Sequence, residues 1–242
     1  KLQELGWWLR EMWRLQWLDV RYNELRALPE RFEELHPLRH LFASYNFILR
    51  IDPAFHTHRN LQTLELRSNR LRGFESFPGE MFFASLTALD VANNAITELP
   101  SNVGRIGGLT TMSAESNQLR EFPSPGAGGL AALTTLNLCN NRLEELSEEL
   151  GKCAAMQELL LDNNRLRRLP FSLCKMLALR KISVHGNHTM TLPPVHVTYG
   201  GPAAVFAFLE KAKAENMPFR REVTRNQEPG EFVGGWRQRG RM

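Results

Sequence analysis

Apolar and polar positions alternate along this chain in one recurring pattern, LxxLxLxxNxL, where x is usually polar. Successive copies of the pattern begin 23 to 25 residues apart. Self-similarity at a fixed period of about 20 to 50 residues is the sequence signature of an array of stacked structural units. The copies begin at Leu15, Leu38, Leu61, Leu86, Leu109, Leu133, Met156 and Leu179.

The centre of each copy predicts a short β-strand. Apolar residues alternate there with polar ones, as in Leu64-Glu65-Leu66, and this period of two gives a strand one buried face and one open face. Between strands the chain follows LPxxhxxL, where h is apolar, as in the segment 99–106. Proline suits the first turn of a helix and interrupts a strand, so each return is predicted to form a short helix or 3₁₀ helix. A single coil cannot bury its own leucines, and stacking of coils does so.

Each copy of the motif closes with an asparagine. A buried amide is costly unless its donors and acceptor are satisfied, and a stacked coil offers backbone groups that would otherwise stay unpaired after each strand. Because the same residue type recurs in every coil, we interpret these asparagines as a structural ladder and not as metal or substrate ligands. The ladder consists of Asn23, Asn46, Asn69, Asn94, Asn117, Asn141, Asn164 and Asn187.

The two ends depart from the regular array. Leu5, Leu9 and Met12 have the spacing of a return segment, which predicts a partial first coil and an origin of the chain upstream of Lys1. Near the other end, Pro202 stands at a first helical turn and precedes apolar residues at helical spacing, so a cap helix is expected there. These apolar residues are Val205, Phe206, Leu209 and Ala212. The predicted organisation is a solenoid over 1–194, a cap helix over 195–217 and a basic, extended tail over 218–242.

The full unit, LPxxhxxLxxLxxLxLxxNxL, resembles the intracellular leucine-rich-repeat proteins of the Ras-associated group and is similar to scaffold proteins of the scribble and erbin type. The ending agrees, because 192–194 (LPP), Gly200-Gly201 and 204–209 (AVFAFL) resemble that group's last coil. The resemblance covers about residues 2–215, and Thr189 departs from it where an apolar residue is expected. It implies an α/β fold: a right-handed solenoid with a parallel sheet on the concave face, short helical or 3₁₀ returns on the convex face and a C-terminal cap. The role that it implies is protein binding.

The polar strand positions should face the concave surface and carry any partner-binding site. The third, fifth, seventh and eighth motif positions of the first three coils gather aromatic and arginine side chains, which dominate binding hot spots. An alternative is that a segment preceding Lys1 covers some of these rings. The candidate partner-binding residues are Trp17, Asp19, Arg21, Tyr22, His40, Phe42, Tyr45, Glu65 and Arg67.

Charge separates the tail from the repeats. The formal net charge of the 242 residues is +4, and the segment 218–242 holds six arginines against three glutamates, so the repeat body is nearly neutral. Tail arginines beside a tryptophan could contact RNA phosphates and a base without reading sequence, and a simply solvated tail is the alternative. The tail residues concerned are Arg220, Arg221, Arg225, Trp236, Arg237, Arg239 and Arg241.

The sequence contains no motif with the spacing that a catalytic site or a metal site requires. The GxGxxA match at 126–131 lies in a repeat insertion and not between a strand and a full helix, and no histidine belongs to a set with metal-ligand spacing. Cys139, Cys153 and Cys174 are far apart and odd in number, which favours a reducing, intracellular setting, cytoplasmic or organellar. No apolar run reaches the length of a membrane span. We therefore expect no catalysis, no cofactor, no metal and no small-molecule substrate.

Three functions remain open at this stage. The first is a non-catalytic interaction or scaffold subunit that binds protein partners in a larger complex. The second is a component of a ribonucleoprotein, such as an organellar ribosome, with the tail on RNA. The third, a regulatory repeat subunit of a phosphatase, GTPase or motor, rests on the family resemblance alone.

Overall fold

A computed structural model describes residues 1–28, 35, 37–51, 59–74 and 85–215. In this part of the chain, eight three-residue strands form one parallel sheet in sequence order. Equivalent motif positions lie side by side, so Trp17 pairs with His40, and His40 pairs with Thr63. The strands are β1 (Trp17–Asp19), β2 (His40–Phe42), β3 (Thr63–Glu65), β4 (Ala88–Asp90), β5 (Thr111–Ser113), β6 (Thr135–Asn137), β7 (Glu158–Leu160) and β8 (Lys181–Ser183).

Among the described returns, short 3₁₀ helices precede β1, β5, β7 and β8, as the LPxxhxxL pattern predicts, and the return before β6 consists of turns. Pro100 and Pro170 each occupy the position before a helix, with a φ of −56° and −64° respectively. Proline has no N–H to leave unpaired there, and its ring sets this φ in advance. The return between β6 and β7 begins at Ser147 instead, whose side chain accepts a hydrogen bond from the Glu149 N–H and caps the turn. The 3₁₀ helices are Trp7–Glu11, Ser101–Arg105, Glu148–Lys152 and Phe171–Lys175.

One continuous apolar interior runs through the stacked coils. The central strand residues from Leu41 to Leu159 are almost fully buried, each packed between the coils before and after it. Burial of a leucine side chain contributes about 1.5 to 3 kcal/mol, so the stacked strands are a main source of stability. In contrast, Leu18 of β1 is only partly buried. It lies in the first coil, where fewer described residues pack over the interior.

The asparagine side chains connect neighbouring coils through backbone groups. Asn141 is representative: its Nδ2 donates to the carbonyls of Ala114, Leu138 and Cys139 at 2.9, 3.1 and 3.2 Å. Its Oδ1 accepts from the Leu119 N–H at 3.0 Å. One amide therefore satisfies backbone groups of its own coil and of the preceding coil. In the first coil, Asn23 accepts from the N–H of Leu2 at 2.8 Å and so holds the chain start in place.

A helical segment closes the C-terminal end, and the predicted cap helix is confirmed. A short helix, α1 (Val195–Thr198), leads into α2 (Gly201–Ala214), which packs on β8 and on the 3₁₀ helix before it. Val205, Leu209 and Ala212 of α2 are buried. The tail 218–242 lies outside the described residues.

Thr189 replaces the apolar residue of the motif in the last coil. Its Oγ1 donates to the carbonyls of Arg165 and Leu166 at 2.9 and 3.0 Å. The single hydroxyl proton of Thr189 is shared between these two backbone acceptors, so a polar contact replaces the apolar contact of the other coils.

The ladder yields a stability prediction. Asn141→Ala should lower the free energy of unfolding by about 2 to 4 kcal/mol, because several buried backbone groups lose their partner at once. Asn140→Gly is the matched control: Asn140 is exposed and has a φ of +56°, which glycine adopts without strain. Urea denaturation followed by circular dichroism measures both variants. A loss for Asn141→Ala no larger than that of the control would contradict the ladder's structural role.

Candidate partner-binding surface

The structure places the nine candidate partner-binding residues on one part of the concave face. Because equivalent positions pair between strands, the side chains of the first three coils form short rows across the sheet. We call five of them the N-terminal aromatic patch: Trp17, Tyr22, His40, Phe42 and Tyr45. The other four are charged and border the patch.

Trp17 is the outermost ring of this patch. It is 57% exposed, and its ring centroid lies 4.6 Å from that of Phe42 and 4.8 Å from that of His40. The pattern predicted an exposed Phe42, but this side chain is only 9% exposed. Trp17 lies against its ring, and the Arg21 guanidinium carbon lies 5.1 Å from its ring centroid. Phe42 is therefore a support beneath Trp17 and not a contact surface in its own right.

Tyr22 and Tyr45 form a stacked pair in the same patch. Their ring centroids are 4.5 Å apart with planes 8° from parallel, and both side chains are exposed. Both residues have a left-handed backbone, with φ of 58° and 59°. This conformation is unfavourable for a bulky residue by about 1 to 2 kcal/mol. The same motif position in later coils carries Ser68, Asn93, Ser116, Asn140, Asn163 and Gly186, all with positive φ.

This strain was missed in the sequence analysis, although a signal was present. Serine, asparagine and glycine occupy the position before the ladder asparagine in six coils, and asparagine and glycine are the residues that tolerate positive φ best. Tyr22 and Tyr45, in adjacent coils, are the two departures from this preference for serine, asparagine or glycine.

Charged groups border the patch in a compact arrangement. Arg21 bonds Asp19 at 2.7 Å, and its second guanidinium nitrogen lies 3.9 Å from Glu65. The hydrogen bond from Arg21 lowers the pKa of Asp19. Arg21 thereby holds two carboxylates while it covers Phe42, so its side chain is fixed by its neighbours.

Beyond the patch, the concave face becomes acidic. Glu65 and Asp90 are direct neighbours in register on β3 and β4, and Glu115 lies in the next coil. Burial raises the pKa of Glu65, and the charges of Asp90 and Asp19 add to this while Arg21 opposes it. Burial also raises the pKa of Asp90, and the charge of Glu115 adds to this rise. The hydrogen bond from the Ala92 N–H and the charge of Arg67 act in the opposite direction. We call Glu65, Asp90, Glu115 and Asp162 the acidic row.

At the C-terminal end, Asp162, Ser183 and His185 have the composition of a catalytic triad but not its order of contacts. The Ser183 hydroxyl lies 2.6 and 2.7 Å from the two carboxylate oxygens of Asp162, and 3.2 Å from Nδ1 of His185. A serine nucleophile must give its proton to the imidazole, with the carboxylate holding the far side of that ring. Here the hydroxyl donates to the carboxylate, which favours a structural role.

Cys139 also lies on the concave face. Burial raises the pKa of its thiol to about 11. The thiol is therefore protonated at neutral pH, and a protonated thiol is a poor nucleophile. Among the residues that the structure describes, no group of three His, Cys, Asp or Glu side chains is arranged to hold a metal ion. Over the same ranges, no helix combines the length and apolar character required to cross a membrane.

Comparison with known proteins identifies the repeat. The sequence profile of the Leucine Rich Repeat family matches residues 132–153. A leucine-rich-repeat protein of Leptospira interrogans is 23% identical with a TM-score of 0.62, over 87% of this chain and 57% of that protein. An internalin of Listeria monocytogenes is 16% identical with a TM-score of 0.62, over 83% and 61% of the two chains. YopM of Yersinia enterocolitica is 25% identical with a TM-score of 0.60, over 75% and 35%.

The fold is a leucine-rich-repeat solenoid, as the repeat pattern predicted. The chain spans less than two thirds of the length of each of these three proteins. Folds of this class typically serve as interaction modules, since stacked coils build an extended concave surface.

The acidic row yields a pH prediction. The raised pKa values of Glu65 and Asp90 mean that their contribution to stability is lost as the pH rises through those values. Glu65→Gln with Asp90→Asn should therefore give a Tm above wild type at pH 7, and the difference should shrink as the pH falls towards 4. Differential scanning calorimetry between pH 4 and 7 measures it. If the Tm difference between variant and wild type were smaller at pH 7 than at pH 5, the cause assigned to these pKa shifts would be wrong.

Proposed function

We propose that this protein is a non-catalytic interaction or scaffold subunit that binds a protein partner through its concave face. The N-terminal aromatic patch is the centre of this site. Exposed tryptophan and tyrosine rings next to a fixed arginine are the residue types that dominate protein-binding hot spots. The resemblance to intracellular repeat proteins that bind other proteins supports the same role, within an intracellular assembly.

One observation carries the proposal: Tyr22 and Tyr45 keep large, exposed rings on a strained backbone. Backbone strain persists where the surroundings impose it, and it concentrates at functional sites. The other coils fill this position with small residues, so the solenoid itself does not require tyrosine. The stacked pair offers a rigid, partly apolar surface whose tyrosine side chains lose little freedom on binding.

RNA binding is the second candidate, and the charges of the concave face disfavour RNA there. The third, fifth and seventh motif positions hold six acidic and three basic residues, so a polyanion would be repelled. A role in a ribonucleoprotein would therefore rest on the tail arginines. Regulation of a phosphatase, GTPase or motor remains an analogy with the family.

The test replaces the two tyrosines by the residue that other coils use. Tyr22→Asn with Tyr45→Asn should leave the Tm unchanged or higher, since asparagine tolerates positive φ. Loss of two hot-spot rings should weaken partner binding about 30-fold or more. The measurement compares tagged wild type and variant, each spanning residues 1–242, in quantitative co-purification, followed by titration of the recovered partner.

Ser68→Asn with Ser116→Asn is the matched control, because it introduces the same residue at the same motif position outside the patch. It should retain every partner. A folded tyrosine variant that keeps its partners at wild-type affinity would refute the proposal. Partners that disappear after ribonuclease treatment or at moderate salt, from both variants alike, would favour the RNA candidate instead.

A further inference from the structure

The concave face and the C-terminal segment carry opposite charges. In the coils of β4 to β7, the third, fifth and seventh motif positions include no basic residue, whereas Asp90, Glu115, Glu158 and Asp162 are all acidic. Arg67 and Lys181 reach Glu115 and Glu158 only from the neighbouring coils, at 3.9 and 3.5 Å. The whole chain is nevertheless basic, with a net charge of +4.

The acidic half of the face is electrostatically unfavourable as it stands. Glu65 and Asp90 are held side by side by the strand register, and each is partly removed from water. A cationic donor on this face would relieve the repulsion between these two carboxylates.

The segment 218–242 has the sequence of such a donor. Arg237, Arg239 and Arg241 alternate with other residues, and in an extended chain residues two apart lie on the same face. Their spacing would then be about 7 Å, which lies between one and two of the strand spacings of about 4.8 Å in a sheet. A guanidinium group forms paired hydrogen bonds with a carboxylate, which suits arginine to this surface better than lysine.

The segment is long enough to reach the acidic row. The helix α2 ends at Ala214 and packs against β8, so the chain leaves the solenoid beside its last strand. From β8 to β3 the sheet is about 24 Å wide, taking five strand spacings. The residues between 215 and 237 span up to about 70 Å when extended, several times this distance.

We propose that the arginine-rich segment 218–242 binds along the acidic row of the concave face in the same molecule. Exposed ion pairs are individually weak, but tethering gives the segment a millimolar effective concentration at the row. A partner that covers this half of the face must displace the segment. The inference rests on the concave binding face of the proposed function but not on the aromatic patch, because the acidic row lies in later coils.

The experiment measures whether the segment, supplied as a separate peptide, binds to the acidic row. A fluorescent peptide with the sequence of residues 218–242 is titrated at low ionic strength against three proteins that each span residues 1–242, with anisotropy as the readout. The first is wild type. The second, the neutral-tail protein, has all six arginines of the segment replaced by glutamine. The third adds Glu65→Gln, Asp90→Asn and Glu115→Gln to the neutral tail. Each of these amides keeps one of the two acceptor oxygens of the carboxylate that it replaces.

The neutral-tail protein should bind the peptide at least about tenfold more tightly than wild type, whose own segment occupies the row. The acidic-row substitutions should reduce that binding by about tenfold or more, and added salt should weaken it. The matched control places Glu98→Gln, Glu121→Gln and Glu210→Gln, three exposed carboxylates outside the row, in the neutral-tail protein. It should bind within about twofold of its parent, and thermal melts establish that each protein is folded.

Equal peptide affinity for wild type and the neutral-tail protein would overturn the inference. So would an acidic-row variant that binds as well as the matched control. Neither result bears on the proposed function, whose test alters Tyr22 and Tyr45 and leaves the acidic row intact. Conversely, partner binding that survives loss of the two tyrosines would refute the aromatic site and leave the peptide titration valid.

Discussion

The structure depends on one constraint: no coil can bury its own leucines. Each strand has only three residues, too few to form a stable sheet alone, and each becomes stable between two neighbours. The ladder asparagine makes this dependence directional, since its Oδ1 and Nδ2 reach the backbone of the coil before it. Leucine stacking supplies the free energy, and the asparagine fixes the register. A last coil would leave its leucines open, and the buried side chains of α2 close the C-terminal side of the stack.

Stacking fixes the residue type only at the leucine and asparagine positions, so the remaining motif positions can carry residues for function. Leucine and asparagine are required at every coil, whereas the third, fifth and seventh positions only have to fit the open face of a sheet. Residues there can differ between coils at little cost in stability. This freedom allows aromatic rings to collect in two adjacent coils and carboxylates to collect in the later ones. The face thus divides into two chemically distinct halves on a uniform scaffold.

The architecture was predictable because it repeats. Strands, 3₁₀ returns and cap helix follow from periodicity and proline placement, which depend on residues close in sequence. Phe42 was wrongly expected to be exposed, because its burial depends on Trp17 and Arg21 in the preceding coil. The raised pKa values of Glu65 and Asp90 likewise arise between coils, where linear spacing gives no distances. The partner-binding residues remain a prediction, since position on the concave face is not itself proof of contact.

The two halves of the concave face demand different things of whatever binds them. The aromatic patch gains free energy when its rings leave water, so it suits an apolar or aromatic partner surface with one hydrogen-bonding edge. The acidic row gains when a cation approaches, and its gain depends on salt. An arginine-rich segment on the row leaves the stacked tyrosines open, because Tyr22 and Tyr45 lie in the first two coils. In this arrangement a protein partner binds the aromatic patch first, and it reaches the acidic row only when the segment leaves. The aromatic patch then sets the affinity for the partner, and the acidic row sets the partner's access to the rest of the face.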